Sequence, residues 1–367
     1  MKILIMSATL PDLDILSENA VKAVSLIQNK EKYYFNSIFK DRVQLSYELL
    51  DNDCKEDGLV EHMRNQIGEG RKILIEFIKK STASVFYNRI VEDEEFACDI
   101  EYMSGDDSLM ERSRILNKIK EEKGAIILVA TQVIEAGVDI DMDIGYKNIS
   151  KLDSEEQFLG RINRSCIHTG KVYFFKLDSP KKIYGEDVRV QKEFTLESRE
   201  MRDYLGRKEF GEYYRQVMQV IKKNYNDRAG ITGLKDFFLQ KVGELYWHDV
   251  KDRMKLIEED RWSMSVYLAR VLVTNQGETV DGRYLWKQYK MLLGDFQMNY
   301  AEKCIKLSEL TSKMNGFIYQ IKKNYDLIYN DRVGEIFYIE DGDKYFDNGK
   351  INRKKLQGEI GEFVDFI

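Results

Sequence analysis

Two architectures are predicted along these 367 residues: an α/β half built on a parallel sheet with helices on both faces, then a mixed α+β appendage. Three observations predict them. In the first half, short apolar β-rich runs alternate with amphipathic helical stretches, the pattern of a parallel sheet whose crossovers cover both faces. Pro180, one of only two prolines, sits in the most turn-like stretch, Leu177-Asp178-Ser179-Pro180-Lys181-Lys182, and marks a boundary. Beyond it the chain turns charged and aromatic, and its strands and helices no longer alternate.

Each element follows from its own spacing. Ile3 to Met6, Ile73 to Phe77, Ser84 to Tyr87, Ala125 to Ala130 and Lys171 to Leu177 are short, β-rich and bounded by polar turns, so they are expected as strands. Leu109 to Lys120 is periodic and amphipathic, hence a helix. After Pro180, Glu193 to Lys223 is helically spaced, and Tyr284 to Lys306 reads as helix. Met254 to Ile257 and Ser263 to Val273 read as strands, and Val333 to Tyr345 as a hairpin turning at Asp341-Gly342. The pentapeptide Ile-Lys-Lys-Asn-Tyr occurs at 221–225 and 321–325 in unlike surroundings, so it is coincidence and not a repeat.

Composition narrows the classes. An apolar fraction of 43% with 12% aromatics can build packed cores, which excludes global disorder. No apolar run approaches the roughly 18–20 residues a bilayer span requires. The N-terminal apolar stretch is too short for a secretory signal and lacks a small-residue cleavage site. Cys54, Cys98, Cys166 and Cys304 are far apart and form no paired motif, which argues against disulfides or zinc and for a reducing, cytoplasmic setting. A net charge of −6 does not favour nucleic acid, yet a local basic groove is all that binding needs. Basic clusters at Lys79-Lys80, Lys181-Lys182 and Arg353-Lys354-Lys355 are either such a track or solvated surface.

Chemistry is concentrated in three places. Ser7 and Thr9 follow the first strand-like run, where a doubly wound sheet presents groups to a ligand or a neighbouring domain; the plainer alternative is that they cap a turn. In Ala130 to Asp141 a strand runs into Thr131-Gln132, then Gly137, then Asp139. Thr131 is suited to a nucleic-acid phosphate and Asp139 to a ribose hydroxyl. An ordinary strand–turn–helix junction with Asp139 as N-cap explains the same residues. The third is Gln157 to Arg164. On a helix Gln157, Gly160, Arg161 and Arg164 share one face, and two arginines beside a glycine make a fork for phosphoryl oxygens. Such a guanidinium is what stabilises charge on a transferred γ-phosphoryl.

Taken together, these segments resemble motifs III, V and VI of superfamily 2 helicases, and most closely the helicase part of the CRISPR-associated helicase-nuclease of type I systems. The resemblance rests on Ser-Ala-Thr at 7–9, Ala-Thr-Gln-Val-Ile-Glu-Ala-Gly-Val-Asp-Ile-Asp at 130–141, and Gln-Phe-Leu-Gly-Arg-Ile-Asn-Arg at 157–164. Weaker likenesses cover Ile73 to Ala83, Tyr102 to Arg112, Met254 to Val266 and Gly334 to Tyr345. It implies a RecA-like helicase C-terminal domain over 61–180, preceded at 1–60 by the last strand and helix of a first RecA-like domain with its linker. An accessory domain follows at 181–367. It further implies catalytic Arg161 and Arg164, nucleotide contacts from Gln157, Gly160, Gly137 and Asp139, nucleic-acid contacts from Thr131 and Gln132, and coupling through Ser7 and Thr9. The cofactors implied are ATP and Mg²⁺, and the partners are single-stranded DNA and the CRISPR surveillance complex.

Two parts of the family pattern are missing. The 367 residues contain no G-x-x-x-x-G-K-[ST] and no apolar strand ending in a helicase-type Asp-Glu pair; Asp93-Glu94-Glu95 lies in a charge run. Three histidines, His62, His168 and His248, are too few for the family's nuclease site, and no metal ligand set is expected. The chain therefore reads as a working half of an ATP-driven translocase whose N-terminal helicase half is on another chain. The alternative is a separately translated, non-catalytic fragment that binds nucleic acid or the surveillance complex.

Overall fold

The computed structural model describes residues 6–7, 9, 24–27, 29–68, 70–135, 137–227, 234–254, 263–273, 277–323, 326–347 and 349–357. The strand expected at Ile3 to Met6 lies, Met6 apart, outside them, as do positions 255–257 of the strand expected to begin at Met254. The described residues fall into two compact units, one within Met1–Tyr102 and Gly124–Glu258, the other within Met103–Lys123 and Glu259–Asp365.

The first unit holds a six-stranded sheet of β1 (Val43–Ser46), β2 (Lys72–Glu76), β3 (Asp99–Met103), β4 (Ile126–Ala130), β5 (Ile144–Asn148) and β6 (Gly170–Phe175), in the order β1-β6-β5-β2-β4-β3. Pairing is parallel from β1 through β6, β5 and β2 to β4. Parallel strands are covered on both faces and so read as unbroken apolar runs; β4 is buried at every position and β2 at four of its five. Ile73, Leu74 and Ile75 have no exposed surface, each contributing about 1.5–3 kcal/mol by burial. The core packs these strands against helix Glu56–Gln66 through Leu59, Val60 and Met63, and against helix Lys80–Val91 through Ala83, Phe86 and Ile90.

That second helix corrects the strand expected at Ser84 to Tyr87. Ala83, Phe86 and Ile90 are buried at helical spacing while Val85 is 60% exposed, so the β-rich composition is one face of a helix. Strands β1, β3 and β5 were not expected. Two of them are sheet edges with mixed burial, and β5 hides a lysine and a glycine in its middle.

Along the sheet the chain leaves β2 towards β3 and β4, then steps over β2 to β5 and on to β6. The connections from β2 and β5 diverge, which makes the carboxyl ends of this pair the switch point where open parallel sheets bind ligands. Gly145 in β5 leaves room for helix Leu152–Leu159, since a Cβ there would sit 2.6 Å from Phe158. Pro180 occupies the first turn of helix Pro180–Tyr184 within this unit, which continues through helices Arg199–Arg207 and Phe210–Asp227 in place of one helical stretch from 193 to 223.

The second unit gathers helix Leu109–Glu121 with the chain beyond 259. Its four-stranded mixed sheet runs β10-β7-β12-β11, with β7 at Ser263–Leu268, β10 at Ile318–Lys322, β11 at Asp331–Val333 and β12 at Ile336–Ile339. Short pairs β8 (Val271–Val273) with β9 (Thr279–Asp281) and β13 (Phe346–Asp347) with β14 (Lys350–Ile351) flank it. Tyr267, Trp286, Phe317 and Tyr338 stack into its aromatic core. The hairpin expected to turn at Asp341-Gly342 is not there: β11 pairs with β12 and turns at Gly334, whose φ is +58°, and Asp341-Gly342 opens a 3₁₀ turn. The helix expected from Tyr284 to Lys306 is two, Gly282–Gly294 and Tyr300–Met314.

Candidate functional site

Thr131 leaves β4 in extended conformation and starts the 3₁₀ turn Gln132–Ile134; only 2% of it is exposed. Gln132 donates from Nε2 to the Ile78 carbonyl at 2.9 Å and to the Tyr184 hydroxyl at 3.1 Å, tying the end of β2 to helix Pro180–Tyr184. Gly137 has φ +72°, and a Cβ there would meet nothing within 4 Å. Backbone conformation, not a close neighbour within this chain, requires the glycine. No helix begins at Asp139, so the N-cap reading fails; the chain runs on to Met142, which bridges Ile162 in parallel.

The segment 157–164 is not one helix. Leu152–Leu159 ends with Gly160 as its C-cap at φ −63°, and Arg161 and Arg164 lie in the turn beyond. The reason is local. Ile162 is drawn into the bridge with Met142, Asn163 N donates to the Met142 carbonyl at 2.7 Å, and Asn163 adopts φ +44°, which an α-helix cannot continue. A Cβ on Gly160 would lie 3.1 Å from the Gln157 carbonyl, a tight contact at the helix end. Gln157 stays on the helix, half-buried.

The two arginines are placed differently. Arg161 donates from Nε to the Ile134 carbonyl at 2.9 Å and from Nη2 to the Glu135 carbonyl at 2.7 Å, so it staples the 131–141 segment. Burial, then the charge of Arg164, lowers its pKa. Arg164 remains 47% exposed, its guanidinium 3.5 Å from the Asp139 carboxylate, itself 70% exposed. The Arg164 and Ser165 amides donate to Asp141 at 2.6 and 2.9 Å, which holds the backbone of this turn while the side chain faces solvent. Two stretches distant in sequence thus present the Arg164 guanidinium and the Asp139 carboxylate together beyond the carboxyl ends of the sheet.

Beneath them lies a group the sequence reading missed. Lys147, fully buried, is ion-paired with Glu76, also fully buried, and lies 3.4 Å from Glu135, 4.0 Å from Glu155 and 3.3 Å from the Ser150 hydroxyl. Glu155 Oε1 accepts from the Ser150 amide at 2.6 Å. Burial pushes the Glu76 carboxyl well up against the opposing pull of Lys147, and burial also lifts Glu155 to about 7. Desolvation works against the Lys147 ammonium, but the surrounding carboxylates outweigh it and keep the lysine charged. The one signal was Lys147 and Glu76 each ending an apolar strand run, where an unpaired charge is not tolerated.

The remaining expectations fall as follows. Ser7 Oγ accepts from the Thr9 amide at 3.2 Å, the geometry of a capped turn, and Thr9 is 4% exposed and hydrogen-bonded to Tyr214. The His248-Asp249 pair is split: His248 meets Asp252 and Asp249 meets Lys241. His62 bonds Tyr146 and Glu48, and His168 bonds Asp143. Arg353 and Lys355 are ion-paired with Asp106 and Asp347. Among the described residues no group of three or more His, Cys, Asp or Glu side chains is placed to hold a metal ion, and no helix is long and apolar enough to cross a membrane.

Among solved structures the chain is similar to T. fusca Cas3, at 13% identity and a TM-score of 0.47, over 81% of this chain and 39% of that one. It is also similar to domain 2 of the DEAD-box helicase Mss116p bound to an RNA duplex, at 21% identity and a TM-score of 0.32, over 38% of this chain and 56% of that one. In sequence it is 36% identical over 76 residues to the CRISPR-associated nuclease/helicase Cas3 of Methanothermobacter thermautotrophicus, covering 18% of this chain and 9% of that protein. The chain therefore aligns with only a minor part of each Cas3 relative. Residues 69–166 match the family model for the C-terminal part of the CRISPR-associated nuclease/helicase Cas3. That span contains β2, β3, β4 and β5 with Asp139 and Arg164, while β1 and β6 lie outside it, so it is this part of the chain that is similar to the Cas3 C-terminal domain.

Proposed function

We propose that this chain supplies the second RecA-like half of an ATP-driven single-stranded DNA translocase of type I CRISPR interference, an antiviral machine of the cytoplasm. This half includes the chain from residue 43, because β1 pairs with β6 in its sheet, and it works with a first RecA-like half that bears the phosphate loop. The observation that supports this is the half-exposed Arg164 guanidinium beside Asp139, on a turn whose backbone Asp141 fixes. An exposed guanidinium on a rigid turn suits phosphoryl oxygens, and positioning with charge stabilisation makes up nearly all of phosphoryl-transfer catalysis. Bound ATP supplies the γ-phosphoryl on which that charge develops. Arg164 exchanges Asp139 for this charge, Arg161 holds the 131–141 segment in place, and Gln157 and Asp139 contact the nucleotide and its ribose.

The test is ATP hydrolysis. The chain alone is expected to show no turnover with or without DNA. Joined to a phosphate-loop-bearing half, wild type is expected to hydrolyse ATP and Arg164→Ala to lose about 10³–10⁵ in rate with DNA binding intact. Normal hydrolysis by Arg164→Ala removes the finger assignment, and no hydrolysis by any assembled wild type favours the non-catalytic binding fragment.

A further inference from the structure

The turn that carries Arg164 is clamped from its far side by a residue more than a hundred positions away. Arg42, just before β1, donates from Nη1 to the Ile162 carbonyl at 2.9 Å and from Nη2 to the Leu159 carbonyl at 3.1 Å. These carbonyls lie at and just beyond the end of helix Leu152–Leu159, where a cation is favoured by the helix dipole; that of Leu159 also accepts from the Ile162 amide at 3.2 Å. The Arg42 carbonyl in turn accepts from Asn163 Nδ2 at 2.9 Å and from the Gly170 amide at 2.9 Å. Asn163, with no exposed surface, uses its whole amide. Nδ2 also donates to the His168 carbonyl, and Oδ1 accepts from the Ile167 and His168 amides at 3.1 and 3.4 Å. Its φ of +44° is one that asparagine tolerates better than most residues. The packing leaves no slack, because a Cβ on Gly170 would stand 2.7 Å from Ile162 and 3.0 Å from Asn163.

We infer that Arg42 and Asn163 are positioning residues for Arg164, and that the chain entering the sheet at β1 thereby sets where the guanidinium stands. The inference rests on Arg164 acting on the transferred phosphoryl. It adds that the finger is held from two sides, by Asp141 at its own amide and by Arg42 through the two carbonyls ahead of it. Neither Arg42 nor Asn163 touches nucleotide. A shift of the segment before β1 moves the Arg42 guanidinium, then the Ile162 carbonyl, then the turn.

The experiment uses the helicase assembled from this chain and a phosphate-loop-bearing half, with Arg42→Met, Arg42→Lys and Asn163→Gly beside wild type and Arg164→Ala. Misplacing a catalytic group by about 1 Å can cost 10²-fold, so Arg42→Met is expected to lower kcat about 10- to 100-fold with KM for ATP within about twofold. Arg42→Lys recovers part of the loss, because an ammonium reaches one of the two carbonyls. Asn163→Gly keeps the backbone conformation, removes the side-chain bonds, and reproduces Arg42→Met. Amide hydrogen exchange at Ile167 and His168 in this chain alone is expected to quicken in Asn163→Gly. Should Arg42→Met fail to fold, Arg42→Lys and Asn163→Gly carry the comparison. Wild-type kcat in the folded Arg42 and Asn163 variants, with Arg164→Ala inactive, overturns the positioning role alone. An active Arg164→Ala overturns that role together with the finger.

Discussion

Lys147 meets Glu76 across β5 and β2 with neither side chain exposed to solvent. Two further carboxylates, Glu135 and Glu155, share the same ammonium. Each belongs to a different part of the site: Glu135 follows the 3₁₀ turn after β4, and Glu155 lies in the first turn of the helix that leads to Arg161. One lysine thus joins the switch point of the sheet to both segments that carry the candidate chemistry. Burial raises the Glu76 and Glu155 carboxyls against the opposing pull of this shared ammonium.

Removing the lysine leaves those carboxylates buried without a counter-charge. Breaking a buried pair from one side costs about 3–5 kcal/mol, whereas replacing both members by apolar groups is often near neutral. Lys147→Met is expected to lose about that much stability in urea unfolding, and Lys147→Met with Glu76→Leu to regain most of it. Equal losses in single and double variants would show that the pair does not act as a unit.

Glu155 gives the stability a pH dependence with a definite sign. Its folded-state pKa, about 7, lies above the ordinary 4.5, so the folded state holds the proton more tightly. The stability this confers is complete below pH 4.5 and is lost as pH rises to 7. At roughly 1.4 kcal/mol per pH unit, the loss is about 3 kcal/mol across that window. Glu155→Gln keeps an acceptor for the Ser150 amide but cannot ionise. Its stability relative to wild type is expected to rise from pH 4.5 to pH 7 and then level, measured by chemical unfolding at each pH; a flat difference would place the proton elsewhere.

How much of this was legible follows from which forces are local. β2, β4 and β6 were readable because strands buried on both faces must be apolar throughout. The run Ser84 to Tyr87 has the same composition, and only the burial of Ala83, Phe86 and Ile90 shows its helical period. β5 was invisible because Gly145 and Lys147 break the apolar run, and their reasons, Phe158 and Glu76, lie elsewhere in sequence. Motif order singled out 131–141 and 157–164 but not their pairing. Neither that pairing nor the end of the helix at Leu159 was legible, since the latter depends on Met142 and Arg42, both distant.

Arg161 and Arg164 looked equivalent in sequence and are expected to separate in stability measurements. Arg161 makes two charge-assisted bonds to carbonyls, and such bonds contribute about 1.5–3 kcal/mol each. Arg164 is half-exposed and pairs with a largely exposed carboxylate, an interaction worth about 0–1 kcal/mol. Arg161→Ala should therefore lower the urea midpoint clearly, and Arg164→Ala should leave it within error. The reverse order would mean that Arg161, not Arg164, is the guanidinium free to meet phosphate.

Thr131 is the residue on which nucleic-acid contact can be separated from nucleotide chemistry. It follows the end of β4 and is 2% exposed, so its substitution acts on packing as well as on any phosphate it bonds. Two variants divide these effects. Thr131→Val keeps the shape and removes the hydroxyl, while Thr131→Ser keeps the hydroxyl and removes a methyl. If the hydroxyl bonds a DNA phosphate, Thr131→Val is expected to weaken single-stranded DNA binding by about 1 kcal/mol, the worth of one hydrogen bond, and Thr131→Ser to bind as wild type. Because no charge is lost, the slope of affinity against salt should not change, unlike that of a lysine or arginine variant. Phosphate contacts carry no sequence preference, so two unrelated DNA sequences should lose equally. The measurement is a salt titration of binding on both DNAs, with each variant's unfolding midpoint taken alongside. A loss that tracks the midpoint in both variants would assign Thr131 to packing of the β4 turn and remove it from the DNA path.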